Sequence, residues 1–287
     1  MPSTPVLSTS AARVLTGAGL AAYGLAYAWL LLTGHTRISP SLDPSAPGLP
    51  LWGAILPPLA AIVLARLVPP RRDVPVPLTG LPPDRLRKEA WTLAGLALLV
   101  AAVVPFAEGL LYPLVKVLLL LVVPLVVLRV TRGDGPRAAA IPAPVTWVAP
   151  LPAVAAWFLL SQVGPFAMPL PEQLPDPVTL VVGSLITLLT ASVLEEIFYR
   201  CWLQTRLEAL YGRWPAIMVS SLLFALMHTT RISPDAVVLG FATIVAFQGV
   251  FGLMVGYLWS RYRNVWVILF IHITVNLVFV PMLIARL

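Results

Sequence analysis

The sequence predicts an all-α protein: a polytopic transmembrane helical bundle of about eight to nine spans. Three observations carry this expectation. Of 287 residues, 59% are hydrophobic and only 11% charged, whereas a soluble domain has roughly 45–50% apolar and about 25% charged residues. Mean hydropathy is +0.91. The apolar residues also fall into stretches of about 17–25, the length that crosses a hydrocarbon core. These proportions exclude a soluble enzyme, a disordered chain and a secreted disulfide scaffold. Cys201 is the only cysteine, so no intrachain disulfide forms. The balance of 19 basic against 12 acidic residues gives a net charge of +7. In a membrane chain such an excess marks cytoplasmic loops rather than a nucleic-acid partner, and none is expected.

Spans are expected at 14–34, 49–68, 90–107, 110–130, 142–163, 178–203, 215–229, 236–259 and 265–285. Pro57 and Pro58 interrupt the second, Pro105 and Pro113 flank the turn after the third, and Pro124 sits in the fourth. Membrane bundles tolerate such prolines because neighbouring helices re-satisfy the freed backbone groups. Met1–Ser10 has no basic residue and no cleavage pattern follows, so the first apolar run is expected to be a retained span. Pro69–Asp84 is expected as a cytoplasmic loop. The sixth and seventh spans form a hairpin turning at Gly212, just before Trp214 and Pro215. The eighth and ninth turn near Arg261–Asn264. Gly249, Gly252 and Gly256 make a stripe of small residues suited to close helix packing. No repeat, coiled coil or glycine-rich phosphate loop is present.

Loop charge predicts orientation. Arg13, Arg66, Arg71, Arg72, Arg85, Arg87, Lys88, Arg129, Arg132, Arg137, Arg200, Arg206, Arg213, Arg261 and Arg263 fall on one side, and Arg37, Arg231 and Arg286 on the other. The richer side is expected to be cytoplasmic.

Ionisable groups within spans cost at least ~2.5–3.5 kcal/mol each on insertion scales and are functional candidates. Glu195, Glu196, Arg200, His228 and His272 stand out, with Asn276 as a buried amide. Glu108 and Lys116 are read as lying near a span end, where Lys116 can snorkel. Glu195 and His228 are nearly equidistant from Gly212, and His272 lies about eight residues past its own turn. All three are therefore expected at one depth, in the cytoplasmic half of the membrane. This layer requires the first hairpin to project beyond the bilayer, carrying Gln204, Arg206, Glu208 and Arg213 with it. Glu196 and Arg200 are four residues apart, where helix side chains meet, so they are expected to pair, leaving Glu195 to face the histidines. His272 with Asn276, and Phe224 with His228, share helix faces at the same spacing. A carboxylate can take a proton from water, imidazoles can hold that water or donate to a leaving group, and an amide can support an oxyanion. The set suits hydrolysis. Cys201, with no base beside it, is expected to be a small packing residue near the interface.

Glu195-Glu196-Ile197-Phe198-Tyr199-Arg200, Phe224-Ala225-Leu226-Met227-His228 and His272-Ile273-Thr274-Val275-Asn276 read as E-E-x-x-x-R, F-x-x-x-H and H-x-x-x-N. In this order, on separate membrane helices, they resemble the CPBP family, also called ABI. That family includes the type II CAAX prenyl endopeptidases and bacteriocin-processing or immunity proteins. The resemblance divides the chain into residues 1–175, spans of unspecific sequence, and residues 178–287, a catalytic core.

It implies an intramembrane endopeptidase, glutamic or metallo in type, acting on a membrane-associated or lipidated protein or peptide. Glu195 would activate water, His228 and His272 would be the catalytic histidines, and Asn276 would help hold the oxyanion. Glu196, Arg200 and Phe224 would support them. Cys201 departs from the glycine often found after that arginine. The cofactor is expected to be none or a divalent metal such as zinc, with Glu195, His228 and His272 as candidate ligands, although H-E-x-x-H spacing is absent. A non-catalytic immunity or scaffold protein of the same family is the alternative, and a proton-coupled transporter a further one. Arginine outnumbers lysine 17 to 2, a bias pointing to a prokaryotic cell membrane. The expected localisation is multi-pass in the lipid bilayer with the site toward the cytoplasm.

Overall fold

A computed structural model of the chain describes residues 9–39, 48–74, 78, 80–133, 135, 144–168 and 176–277. In chain order its helical runs are α1 (Ser10–Leu32), α2 (Leu51–Leu67), α3 (Pro83–Phe106), α4 (Leu111–Arg132), α5 (Leu151–Val163), α6 (Pro177–Tyr211), α7 (Arg213–Leu226), α8 (Pro234–Tyr262) and α9 (Val265–Asn276). Of these, α1, α3, α4, α6 and α8 are long and apolar enough to cross a membrane. The chain is an all-α integral membrane protein, and its helices lie where the sequence predicts spans. The only strands among the described residues are two-residue segments, β1 (Arg37–Ile38) and β2 (Leu49–Pro50), paired antiparallel. The end of the ninth expected span, residues 278–285, together with Arg137 and Arg286, lies outside the described residues.

The helix faces sort by solvent. On α4, Leu114, Leu118 and Leu125 are exposed and suited to lipid, whereas Lys116, Leu120 and Pro124 form a buried stripe at four-residue spacing. Pro57 and Pro58 lie buried inside α2 without ending it. Cys201 is buried and free.

Gly212 makes the α6–α7 turn at φ 87°, where a side chain would be strained. Arg263 takes the left-handed conformation after α8, and the Asn264 side chain caps α9 by accepting from Trp266 N and Val267 N at 3.0 and 3.3 Å. The glycine stripe on α8 provides close approach. A Cβ on Gly249 would lie 2.9 Å from the Tyr23 ring, and one on Gly256 2.7 Å from Gln204 Oε1.

The polar residues at the far end of α6 are internal, not solvated as expected. Gln204 Nε2 donates to Gly256 O at 2.8 Å, and Arg206 Nε to Glu89 Oε2 at 2.7 Å. Ser260 donates to Glu208 at 2.7 Å, Arg213 donates to Ser260 at 2.9 Å, and Arg263 pairs with Glu208 at 2.8 Å. The reason is that α3 and α8 pack against this end of α6, bringing Glu89, Gly256 and Ser260 to it. Arg200 and Arg206 are therefore buried within the bundle rather than in loops, and Arg263, in the α8–α9 turn, is buried as well.

Candidate active site

Glu195 and Glu196 sit on a single α-helical turn of α6, Leu194–Glu196, between two stretches of wider i→i+5 turns, Leu188–Val193 and Ile197–Gln204. Such wide turns recur at functional sites because they re-aim side chains. Both carboxylates are buried.

His272 on α9 lies between them. Its Nδ1 is 2.6 Å from Glu196 Oε1 and its Nε2 is 3.8 Å from Glu195 Oε2. A carboxylate only accepts, so Nδ1 carries the hydrogen, and in the neutral ring Nε2 is an acceptor. Two acceptors, Nε2 and the unpartnered Oε2 of Glu195, thus face each other across a gap. A water about 2.8 Å from each could donate one hydrogen to each.

Glu196 also pairs with Arg200 across the expected four-residue step, Nε to Oε2 at 3.3 Å. The contact to His272 is the shorter one, so Glu196 orients the histidine as well as pairing the arginine. The guanidinium otherwise stacks on aromatics, with Cζ 4.3 Å from the Phe224 ring centroid and 6.0 Å from that of Tyr199. Phe224 is the hub. Its ring meets His228 at 5.1 Å, His272 at 5.8 Å and Tyr199 at 5.5 Å between centroids. His228, just past the end of α7, is held by its own backbone: Nδ1 donates to Phe224 O at 3.0 Å, so Nε2 is presented outward as an acceptor. Asn276 Nδ2 donates to the Ser192 hydroxyl at 3.1 Å, one turn before Glu196.

Two expectations are corrected. Lys116 does not snorkel; it is 1% exposed, and its Nζ donates to Glu195 Oε1. The pair forms because Lys116 falls on the inward stripe of α4, opposite a carboxylate in an apolar interior. Consequently Glu195 is not free: one oxygen is held by Lys116 and only the other faces His272. Sequence reasoning also passed over Ser192, buried at four-residue spacing from Glu196. The signal for Lys116 was there, as the one charged residue in the apolar run between Leu111 and Leu128, with Tyr112 four residues before it.

No group of three metal-ligating side chains gathers among the described residues. Glu195 and His272 approach each other, but His228 does not gather with them, and the Lys116 ammonium beside Glu195 opposes a second cation there. The donor set does not fit a tetrahedral zinc site, which needs three converging protein ligands. The metalloprotease assignment is unsupported.

A cavity of about 720 Å³ lies on the far side of Phe251 from the cluster, whose own polar side chains do not line it. Phe251, whose ring lies 5.3 Å from His272, forms part of its wall, with Trp157, Phe166, Phe247, Phe270 and Ile273.

The fold and this cluster define a helical membrane protein with a buried carboxylate–histidine arrangement. Residues 177–278 match the family described as type II CAAX prenyl endopeptidase Rce1-like, which bears out the resemblance drawn from the three motifs. The similarity to CAAX-type proteases is confined to these residues. No curated protein and no solved structure gives a significant match to the chain.

Proposed function

We propose that the protein is an intramembrane endopeptidase in which Glu195 activates water against a peptide bond of a membrane-associated or lipidated substrate. The observation that carries this is the facing pair of acceptors, Glu195 Oε2 and His272 Nε2, 3.8 Å apart. A water bound to both has its lone pairs directed away from them, toward an incoming carbonyl carbon. As its oxygen bonds to that carbon, one proton passes to Glu195 and the carbonyl electron pair moves to the oxygen. Asn276 keeps one amide hydrogen free of Ser192 and supports the oxyanion. Glu195 then returns the proton to the leaving nitrogen as the carbon–nitrogen bond breaks. His228 Nε2 offers an acceptor to a substrate N–H. The apolar cavity beyond Phe251 suits the hydrophobic part of a substrate held in the bilayer.

The route of entry follows from depth. At 1.5 Å per residue the 22 residues of α4 cover about 33 Å, a full hydrocarbon core, and Lys116 is only ~7 Å from its start. Thr229 Oγ1, one residue past His228, donates to Ala101 O near the end of α3 at 2.6 Å. The cluster thus lies near the end of the bundle opposite Arg85, Arg132 and Arg213. With the basic turns cytoplasmic by charge, this supports entry from the bilayer's other half, in place of the cytoplasmic opening expected from equal depths.

The test uses the full chain in nanodiscs with an internally quenched peptide carrying an S-farnesyl cysteine near its carboxyl end, and the same peptide without the lipid. Hydrolysis by the wild type that Glu195→Gln abolishes, in a folded sample, is the expected result. Wild-type protein inert toward both peptides and toward membrane proteins trapped on Glu195→Gln would favour the non-catalytic role.

A further inference from the structure

We propose that Lys116 is a working part of the reaction centre: a positioning residue that fixes the Glu195 carboxylate and supplies the stationary positive charge against which negative charge moves during hydrolysis. This rests on Glu195 being the base.

Lys116 comes from α4, outside the family-matched residues 177–278. Its ammonium reaches across to Glu195 Oε1 and leaves Oε2 as the oxygen turned to His272. Its other neighbour is the Tyr112 ring, 5.2 Å from Nζ and one turn earlier on the same helix. A snorkelling lysine would run along α4 toward water, but this side chain crosses between helices and is buried.

Charge balance gives the reason. Two carboxylates, Glu195 and Glu196, are buried with two fixed cations, Lys116 and Arg200. Arg200 belongs to Glu196 and the Phe224 face. Without Lys116, Glu195 would lose its one directly paired cation in a medium that screens poorly, with only the unbonded charge of Arg231 still acting on it. When Glu195 accepts the water proton it becomes neutral and the charge reappears on the peptide oxygen. Lys116 neither gains nor loses a proton; it attracts the negative charge in both positions, so no new countercharge has to be recruited at the transition state. When the proton passes to the leaving nitrogen, the original pair re-forms.

The test compares Lys116→Met, Lys116→Arg and Glu195→Gln in full-length protein in nanodiscs, with the farnesylated quenched peptide as probe. Lys116→Met should lower kcat by on the order of 100-fold with KM little changed, as loss of a preorganised electrostatic group does. Lys116→Arg, which keeps the charge, should retain part of that turnover. Folded Lys116→Met with kcat within about twofold of wild type would overturn the proposal. Where Lys116→Met fails to fold alone, Lys116→Met/Glu195→Gln decides. Recovery of a cooperative melt shows that the two charges are coupled, and no recovery overturns the pairing. If Glu195→Gln itself keeps wild-type turnover, the assignment of the base fails instead, whatever Lys116 does.

Discussion

Glu196 has two partners, and the two predict different consequences of losing it. Glu196→Gln leaves Arg200 as an unpaired buried charge, costing about 3–5 kcal/mol. It also weakens the hydrogen bond that aims His272, whose Nδ1 sits 2.6 Å from Glu196. Loss of an outer partner of a functional imidazole typically costs about 10–100-fold. Adding Arg200→Gln removes the orphaned charge. The double variant should therefore regain part of the melting temperature but none of the turnover, as a thermal melt and initial rates on the same samples would reveal. Parallel recovery of both would mean that Glu196 acts only through Arg200.

Among the helices, α8 and the start of α6 give contrasting tests. Gly256→Val puts a side chain where Gln204 Oε1 would be 2.7 Å from the new Cβ. Gln204 is itself held by the Gly256 carbonyl. The expected cost is about 1–3 kcal/mol from overpacking, seen as a lower melting temperature. Gly95→Ala on α3, with nothing within 4 Å of the added Cβ, should instead stabilise by about 0.5–1 kcal/mol. At the other end, Asp176 caps α6 by accepting from Val178 N and Thr179 N at 3.1 and 3.0 Å. The hydrogen bonds from Thr179, first of its side chain and then of its backbone, hold the Asp176 carboxyl below its usual range. A lowered folded value means the cap's contribution is full above the unfolded carboxylate range and fades as pH falls through the lowered value. Asp176→Ala should thus lower the melting temperature at neutral pH, and the difference from wild type should vanish in strong acid. A pH-independent difference would contradict the cap.

Helix placement was legible because the apolar runs stood apart, most of them at the length of a span, and both hairpin turns carried the residues that turns require, Gly212 and Asn264. The motif residues were legible because charge in an apolar helix is rare. What stayed hidden was pairing across the bundle. Sequence spacing gives the four-residue partner of Glu196, but nothing local says that α4 faces α6, so Lys116 looked like a helix-end lysine. The same blindness made Arg206 look like a loop charge and hid the burial of Arg263 against Glu208.

For the whole molecule, the end opposite the candidate site is a second internal ionic cluster. Glu89 on α3 accepts from Arg85 Nε at 2.7 Å, from Thr131 at 2.8 Å and from Arg206 at 2.7 Å. It ties α3, α4 and α6 together far from His272. Glu89→Gln should destabilise by about 3–5 kcal/mol by stranding Arg206, with the remaining folded protein turning over normally. A selective loss of kcat at unchanged melting temperature would place Glu89 in the chemistry.

The Lys116–Glu195 contact joins residues 79 positions apart, and this separation matters during biosynthesis. A ribosome adding about 5–20 residues per second adds Lys116 some 4–16 s before it reaches Glu195. Through that interval the lysine has no carboxylate to meet, and α4 must either wait at the translocon or hold its ammonium at the headgroup boundary. The pair can close only when α6 has been made, so completing the first half of the bundle waits on synthesis of the second.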